Sequence, residues 1–517
     1  MDFQSMHEQL LDPATYPEPT LRVEFRETHI SRVYLTDNHA YKFKKPLDLG
    51  FLDFSTRERR RFFCEEEVRL NRRFAPDVYL GVVELWANRN RLRFHGPGRL
   101  VDFAVHMRRL PEERMLDRLI DAAATELPAE IERLARHLAP LLAAAPICRD
   151  EVPGGSAAEI QANCAENLAQ TQPAIGHALS ASAHQAMSGQ IMAQVERLTP
   201  LFLAREAHNY VRDGHGDLHS RNICMTDPIQ VYDCIEFSRR FRVADVAAEL
   251  AFLLMDLDGR GRRDLARRFL CVYQQQAADP DLVTLLLFYK SCRAWVRGKV
   301  EFLLADEAEV APEARSAALA HSRRYFNLAL GYHVPPMLLL TTGLMGVGKT
   351  TFARAMANAL GAEVLRSDVI RKELAGIAPD SPRPEAAGQG LYAPAMTART
   401  YAELQHRTAR LLQQGDTVIV DASFSRAAAR QDFCALADRL TVPARLLHLH
   451  CDRALTVARL DRRQTEGRDA SDGRRELLDA QAAAFEPVSC DPRVITIDTA
   501  AGVDYTVQDA ICQLMTR

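Results

Sequence analysis

A glycine-rich segment that begins at residue 343 carries the strongest chemical signal in the sequence. Residues 343–350 read GLMGVGKT and fit the pattern G-x-x-x-x-G-K-[ST], between an apolar run and an amphipathic run. Glycines at these positions let backbone amides turn toward one anion, and the helix that follows points its positive end at the same anion. The residues expected to bind nucleotide phosphates are Gly343, Gly346, Gly348, Lys349, Thr350 and Thr351.

Groups that follow this segment could complete a phosphoryl-transfer site. We expect the Thr350 hydroxyl to bind Mg²⁺, and Asp421, which follows the apolar run 418–420, is placed to hold the same metal. Asp368 and Arg371 are three residues apart and would share one face of a helix. Asp368 could accept the proton of an acceptor hydroxyl, and Arg371 could bind an anionic part of the acceptor or the leaving phosphates. The alternatives are a loop-capping Asp421 and a helix-capping Asp368 beside a solvated arginine.

Arginines on a predicted helix near residue 460 suggest a mobile lid. Arg459 and Arg463 are four residues apart, and Arg462 lies beside them. A lid of this kind would neutralise charge on the phosphoryl group during transfer. A solvated basic face would have the same sequence pattern.

A second constellation lies at residues 215–222, which read HGDLHSRN. The spacing H-x-D-x-x-x-x-N is that of kinase catalytic loops, and Asp233 follows at the end of an apolar run. We expect Asp217 to accept or orient the acceptor hydroxyl, and Asn222 and Asp233 to bind Mg²⁺. The two histidines of the loop are expected to brace it rather than to react.

The patterns around these motifs predict two domains. Residues 28–83 combine short alternating runs with one amphipathic helix. Helical periodicity is found at 111–205, strand and turn patterns at 211–237, and helices resume to about residue 330. Two adjacent prolines at 335 and 336 end the helical pattern. Strands are then predicted at 337–342, 362–365, 417–420 and 445–450 with a helix at 350–360, which indicates a parallel sheet covered by helices. We therefore predict one domain at residues 1–333 and another at residues 334–517.

Composition narrows the class of protein. The chain has 517 residues, which is too long for one typical core, and 47% hydrophobic with 26% charged residues is ordinary for a soluble protein. A net charge of -3 gives no general attraction to nucleic acid or anionic membranes. Eleven cysteines without a C-x-x-C pair predict neither a zinc site nor a disulfide framework. Because no export signal or long apolar run is visible, we expect a cytoplasmic protein without a membrane span.

Both motif regions resemble known kinase families. Residues 343–351, 367–371 and 421–424 with the Arg459/Arg463 pair look like the predicted-kinase family related to gluconate kinase, polynucleotide kinase and zeta toxin. The HGDLHSRN loop is similar to that of the aminoglycoside phosphotransferase family, over roughly residues 25–330. These resemblances imply a bilobal protein-kinase-like α+β fold for the first domain and an α/β P-loop NTPase fold for the second. They also imply ATP and Mg²⁺ at both sites.

The second resemblance further implies a small-lobe lysine that contacts the nucleotide phosphates and pairs with a helix glutamate. Lys42 matches the form A-x-K best, but Lys44 lies on the same strand face. Glu67 falls on the apolar stripe of the following helix and is expected to point inward. Glu65 and Glu66 remain alternatives.

The motifs together predict an ATP-dependent phosphotransferase with two nucleotide sites that acts on small-molecule hydroxyl acceptors. One alternative is an ATP-binding regulatory protein in which one site is not catalytic. Another alternative makes the second domain a nucleic-acid 5′-end kinase, which predicts a basic groove beside Asp368.

Overall fold

The computed structural model describes residues 3–50, 52–89, 91–148, 155–307, 310–378, 390–466, 475–488 and 492–516, with only the backbone of 463–466 and 476. The chain forms two compact units. Unit 1 comprises Met1–Asn163, Val195–Leu257 and Arg262–Tyr289, and unit 2 comprises Cys164–Gln194, Asp258–Gly261 and Lys290–Arg517. Among the described residues, no helix is both long enough and apolar enough to cross a membrane.

A six-stranded antiparallel sheet forms the small lobe of unit 1, with the strand order β1-β2-β3-β6-β4-β5. Its strands are β1 (Glu24–Glu27), β2 (Ser31–Leu35), β3 (His39–Lys44), β4 (Tyr79–Asn88), β5 (Arg91–Phe94) and β6 (Arg99–Arg108). Its helices are α1 (Phe3–Leu10) and α2 (Arg57–Asn71). One set of buried aromatic residues, including Tyr34, Tyr41 and Phe94, packs with Leu10 of α1, while Cys64 and Val68 of α2 pack in a separate cluster with Val105.

The larger lobe of unit 1 is mostly helical, and its loops are flanked by short pairs of antiparallel strands. The helices that lie wholly or partly in unit 1 are α3 (Leu116–Asp121), α4 (Leu127–Ala144), α5 (Ala157–Gln170), α6 (Ala181–Ala207), α7 (Arg239–Arg242), α8 (Val246–Gly259), α9 (Arg263–Gln276) and α10 (Leu282–Asp306). Helix α6 begins in unit 2 and enters unit 1 in its second half. The short strands are β7 (Val211–Asp213), β8 (Ile223–Cys224), β9 (Gln230–Val231) and β10 (Val243–Asp245). The HGDLHSRN loop lies between β7 and β8 in the sequence. Strand β7 pairs antiparallel with β10, and β8 pairs antiparallel with β9.

A five-stranded parallel sheet forms the centre of unit 2, with the order β12-β13-β11-β14-β15. Its strands are β11 (Leu338–Thr342), β12 (Glu363–Arg366), β13 (Val418–Asp421), β14 (Ala444–His450) and β15 (Val494–Asp498). Its helices are α11 (Pro312–Gly331), α12 (Lys349–Leu360), α13 (Ser367–Leu374), α14 (Pro394–Gln413), α15 (Ala427–Arg439), α16 (Arg453–Glu466), α17 (Leu478–Ala483) and α18 (Val503–Thr516). All residues of the central strand β11 are buried, as expected for a parallel sheet covered on both faces.

The predicted fold class is confirmed for both parts of the chain. The four strands predicted for the P-loop region and the helix at 350–360 start and end within one residue of the observed elements. β15 was not predicted. Four of the five unit boundaries fall inside α5, α6, α8 and α10, and the fifth falls between α8 and α9. The division of the chain at residue 333 remains a prediction about its domains.

Helix α11 packs directly on the helix that follows the glycine-rich segment. Gly331 ends α11 and lies so close to α12 that an added Cβ would be 2.1 Å from the carbonyl oxygen of Ala359. Asn327, one turn earlier, donates from Nδ2 to the carbonyl oxygen of Asp504 at 3.2 Å, in the first turn of α18. The end of α11 is therefore part of the core of unit 2.

The close approach at Gly331 predicts a stability difference between two glycine-to-alanine variants. Gly331→Ala should lower the melting temperature, because overpacking costs about 1–3 kcal/mol and exceeds the gain of about 1 kcal/mol in helix propensity. Gly189→Ala is the matched control, since Gly189 is also helical and a Cβ there would meet nothing within 4 Å. Differential scanning fluorimetry should show a lower melting temperature for the first variant and an equal or higher one for the control. Equal effects would contradict the packing of α11 on α12.

Candidate active sites

The glycine-rich segment forms a tight loop between β11 and α12. Gly343, Gly346 and Gly348 have φ values of 142°, 79° and 94°, a region that favours glycine. A Cβ on Gly343 would lie 2.3 Å from the carbonyl oxygen of Leu449, and one on Gly346 would lie 2.8 Å from Cγ of Leu460. The loop thus has no room for side chains at these positions. It leads into the amino-terminal end of α12, where backbone amides bind phosphate.

Lys349 and Thr350 are the first two residues of α12, and their side chains bond to the loop and to Asp421. Lys349 Nζ donates to the carbonyl oxygens of Gly343 at 2.9 Å and Leu344 at 2.8 Å, so its ammonium group lies over the loop. Thr350 Oγ1 donates to Oδ2 of Asp421 at 2.7 Å. The parallel pairing of β11 with β13 places Asp421 opposite Thr341, at the carboxyl ends of both strands.

The oxygens of Thr350 and Asp421 fit Mg²⁺. This ion prefers oxygen ligands, and it usually takes only one or two from protein carboxylates, with phosphates and water completing its shell. In the part of the chain that the structure describes, no cluster of three or more His, Cys, Asp or Glu side chains could hold a metal by itself. Thr350 and Asp421 would therefore hold Mg²⁺ together with nucleotide phosphates.

Asp368 and Arg371 are brought together on α13, as their spacing predicts. Nη1 of Arg371 lies 3.3 Å from Oδ1 of Asp368, and the guanidinium lies over the ring of Tyr392 at 4.8 Å. Arg371 is only 7% exposed, and its Nε has no hydrogen-bond partner among the described residues. Arg366 holds the N-cap position of α13. The alternative of a capping aspartate beside a solvated arginine is therefore wrong.

Arg459 of α16 contacts the glycine-rich loop at residues 343–348, which is called the phosphate loop below. Its Nη2 donates to the carbonyl oxygen of Thr499 at 2.6 Å, and its Nη1 donates to the carbonyl oxygen of Val347 at 3.2 Å. Thr499 Oγ1 also donates to the carbonyl oxygen of Val347, at 2.6 Å. In this conformation Arg459 braces the loop, and its action as a lid residue remains a prediction. The side chain of Arg463 lies outside the described residues.

A cavity of about 1310 Å³ connects these groups within unit 2. The predicted residues that line it are Gly346, Gly348, Lys349, Thr350, Thr351, Asp368, Arg371, Asp421 and Arg459. Residues that the sequence analysis did not single out line it as well, among them Arg366, Tyr392, Tyr401, Ser423, Arg426 and Thr499. The phosphate loop and the Asp368–Arg371 pair therefore open into one space, which has room for a nucleotide and an acceptor.

In unit 1 the HGDLHSRN loop orients Asp217 through two neighbours. His219 Nε2 lies 3.3 Å from Oδ2 of Asp217, and Nδ2 of Asn222 donates to the same oxygen at 3.1 Å. The backbone N–H of Arg221 donates to Nδ1 of His219, so Nε2 carries the proton that faces Asp217. His219 thus supports the carboxylate, as expected.

His215 braces the loop from inside. Burial lowers the pKa of His215 to about 4, so the ring is neutral near pH 7. Its Nδ1 accepts from the backbone N–H of Asp217, and its Nε2 donates to the carbonyl oxygen of Tyr232 at 2.9 Å. Glu249, which the sequence analysis did not single out, accepts from the backbone N–H of Gly216 at 2.7 Å. These contacts fix the loop next to the segment that carries Asp233.

Lys42 contacts Glu67, its expected partner, and also Asp233, a contact that the sequence analysis did not predict. Its Nζ lies 2.9 Å from Oε1 of Glu67 and 2.5 Å from Oδ1 of Asp233. Asp233 has a left-handed φ of 65°, and its backbone N–H donates to the hydroxyl of Tyr79 at 3.0 Å. Lys44 instead bonds to the other oxygen of Glu67 and to Glu236. Lys42 is therefore the lysine that reaches the predicted metal ligand.

Glu67 is the glutamate that points inward. It is fully buried, whereas Glu65 pairs with Arg61 and Glu66 pairs with Arg69 at the surface. Burial by itself raises the pKa of Glu67, but Lys42 and Lys44 outweigh burial and hold the pKa at about 2. The carboxylate is therefore charged at neutral pH.

Parts of the chain are similar to a known family model and to solved structures. Residues 338–488 match the family model AAA_33, an AAA domain. The gluconokinase from Sinorhizobium meliloti 1021 is 20% identical, with a TM-score of 0.27 over 35% of this chain and 93% of that chain. The GDP complex of wild-type aminoglycoside 2′-phosphotransferase-IIIa is 12% identical, with a TM-score of 0.37 over 62% of this chain and 98% of that chain.

Relatives that match most of the chain occur in mycobacteria. Uncharacterized protein Rv2004c of Mycobacterium tuberculosis (strain ATCC 25618 / H37Rv) is 30% identical over 474 residues, which cover 89% of this chain and 90% of the relative. Uncharacterized protein Mb2027c of Mycobacterium bovis (strain ATCC BAA-935 / AF2122/97) matches with the same identity and coverage. A match of this length includes both units, and the chain therefore belongs to the protein family of Rv2004c.

Proposed function

We propose that the chain is an ATP-dependent phosphotransferase with two nucleotide sites, each of which transfers the γ-phosphoryl group of ATP to a hydroxyl of a small molecule. One observation carries the proposal: each unit combines a lysine, a carboxylate that fits Mg²⁺ and a carboxylate that can accept a proton. These residues are Lys42, Asp233 and Asp217 in unit 1, and Lys349, Asp421 and Asp368 in unit 2.

In unit 1, Asp217 takes the proton of the acceptor hydroxyl. The acceptor oxygen forms a bond to the γ-phosphorus, the bond to the bridging oxygen of the β-phosphate breaks, and ADP leaves. His219 and Asn222 hold one oxygen of Asp217 and so fix the direction of its carboxylate. Mg²⁺, held by Asn222 and Asp233, would supply charge neutralisation at the β- and γ-phosphates. Lys42 is placed to bind phosphate oxygens when it separates from Asp233.

In unit 2, Asp368 is the proton acceptor and the backbone amides of the phosphate loop bind the nucleotide. Lys349 moves from the loop carbonyl oxygens to the β- and γ-phosphates, and Arg459 and Arg463 act on the transferring phosphoryl group. Arg371 binds an anionic group of the acceptor before transfer. Its buried Nε, which has no hydrogen-bond partner in the described part of the chain, supports this role. A buried donor without a hydrogen bond costs about 1–3 kcal/mol, and a bound carboxylate or phosphate would satisfy it.

A second candidate function for unit 2 is a nucleic-acid 5′-end kinase. That function requires a basic wall beside Asp368, and Arg366, Arg371 and Arg426 line the cavity that contains Asp368. The same three arginines would serve a small anionic acceptor, so the two candidates differ in acceptor size. Transfer of labelled phosphate to a 5′-hydroxyl oligonucleotide but not to small acids would favour the nucleic-acid candidate.

Nucleotide stoichiometry tests the two-site proposal. Isothermal calorimetry with Mg²⁺ and a non-hydrolysable ATP analogue should give two sites per chain. Lys349→Ala should remove one site and Lys42→Ala the other, because each removes the cation expected to bind phosphate. Lys45→Ala is the matched control for Lys42, since Lys45 follows β3 and pairs with Glu27 at the surface. A wild-type stoichiometry of one would refute the two-site proposal.

The role of Asp217 predicts loss of turnover without loss of nucleotide binding. In a Lys349→Ala background, Asp217→Asn should bind the ATP analogue as the parent does, since the side chain keeps its shape. Transfer of ³²P from γ-labelled ATP to a fractionated metabolite pool should fall by about 10²-fold or more, within the usual range for a general base. Undiminished transfer would exclude Asp217 as the proton acceptor.

Substitutions of Asp368 and Arg371 on α13 should change different kinetic constants, which can be measured once an acceptor for unit 2 is found. Asp368→Asn should lower kcat by about 10²-fold with little change in ATP affinity, because proton transfer belongs to the transition state. Arg371→Ala should raise the acceptor KM, because the guanidinium holds the acceptor before transfer. A fall in kcat alone for Arg371→Ala would instead place this arginine on the transferring phosphoryl group. Wild-type turnover in Asp368→Asn would exclude Asp368 from the mechanism.

A further inference from the structure

A second lysine on β3, Lys44, also contacts Glu67 and one further carboxylate, and it is more deeply buried than Lys42. Lys44 lies on the same strand face as Lys42, and its side chain is completely buried. Its Nζ lies 2.8 Å from Oε2 of Glu67 and forms a short ion pair with Glu236. The ring of Phe54 lies 4.8 Å from the same ammonium group. Lys44 is therefore enclosed by two carboxylates and an aromatic ring.

The two lysines form parallel links between the same structural elements. Glu67 of α2 gives one oxygen to Lys42 and the other to Lys44. Lys42 continues to Asp233 and Lys44 continues to Glu236, so both ends of the segment 233–236 are tied to β3. The five side chains carry two positive and three negative charges. The cluster therefore has a net charge of -1 in which Glu67 is the shared partner.

The outer pair, Lys42–Asp233, and the inner pair, Lys44–Glu236, differ in access to solvent. The side chain of Asp233 is 44% exposed, whereas that of Glu236 is 4% exposed and that of Lys44 is fully buried. A metal ion or nucleotide can therefore replace the contact between Lys42 and Asp233, but it cannot reach the contact between Lys44 and Glu236. When the outer contact is exchanged, the inner contact remains.

A buried ion pair needs an explanation beyond stability. Removing two charges from water costs several kcal/mol, and well-packed apolar side chains of similar size often stabilise a fold equally well or better. Backbone contacts already hold the start of the segment, because the N–H of Cys234 donates to Oδ1 of Asn71 at 2.8 Å. The inner pair adds a link at the far end of the segment and occupies the second oxygen of Glu67.

We propose that Lys44 and Glu236 are positioning residues of the unit 1 nucleotide site. They hold Glu67 and the segment 233–236 in place, so that Lys42 can exchange Asp233 for a nucleotide phosphate while Asp233 turns to Mg²⁺. This inference rests on the proposed nucleotide site of unit 1. It assigns no contact with substrate to either residue.

The test removes the charges of Lys44 and Glu236 together, so that an effect on nucleotide binding can be distinguished from an effect on folding. Lys44→Met/Glu236→Leu keeps the net charge of the cluster at -1 and replaces the pair with apolar side chains of similar size. Lys45→Met/Glu27→Leu removes a surface ion pair next to β3 and is the matched control. All variants carry Lys349→Ala, so that calorimetry with Mg²⁺ and a non-hydrolysable ATP analogue reports on unit 1 alone. The melting temperature of each variant is measured in parallel.

We expect the inner-pair variant to melt at or above the temperature of its parent and to bind the analogue at least about tenfold more weakly, as when partners of metal ligands are removed. The control should bind as the parent does. Binding within twofold of the parent by the folded inner-pair variant would overturn the inference. If that variant does not fold, Glu236→Gln decides by the same two measurements, since it keeps the shape of the side chain. A parent that binds no analogue would overturn the proposed site, and the inference with it.

Discussion

Both proposed sites place a carboxylate where we expect a polyanionic nucleotide to bind, and hydrogen-bond donors surround that carboxylate in each unit. In unit 1, Asp233 accepts from Lys42, and Lys42 is in turn held by Glu67. In unit 2, the buried Asp421 accepts from the Thr350 hydroxyl. A buried carboxylate without such donors would be destabilising by several kcal/mol. These donors compensate the charge of the carboxylates, and in the proposed function Mg²⁺ and phosphate would take over this role.

The two units form their proposed phosphate sites in different ways. Unit 2 uses backbone: the loop from Gly343 to Gly348 has no side chains at its close contacts, and α12 begins where the loop ends. Unit 1 uses side chains from three elements, and Lys42 is 191 residues from Asp233 in sequence. The phosphate site of unit 2 therefore depends on one continuous segment. The site of unit 1 depends on how β3, α2 and the segment after β9 pack together.

This difference explains which features could be predicted from the sequence. The phosphate loop, the HGDLHSRN loop and the Asp368–Arg371 pair are local patterns, and the structure brings each together. The choice between Lys42 and Lys44 stayed open because a strand pattern gives the face of a residue but not its partner. Glu236 was missed because it lies in an irregular segment and its partner is distant in sequence. The contact between Arg459 and Thr499 was missed because β15, which precedes Thr499, was not predicted.

A crystal structure of the full chain with Mg²⁺ and a non-hydrolysable ATP analogue would test the central claim, that one chain holds two nucleotide sites, most directly. We expect one analogue in each unit, with Lys42 and Lys349 within hydrogen-bond distance of phosphate oxygens and Mg²⁺ next to Asp233 and Asp421. Lys44 should still contact Glu67 and Glu236. Nucleotide in only one unit at saturating concentration would contradict the account.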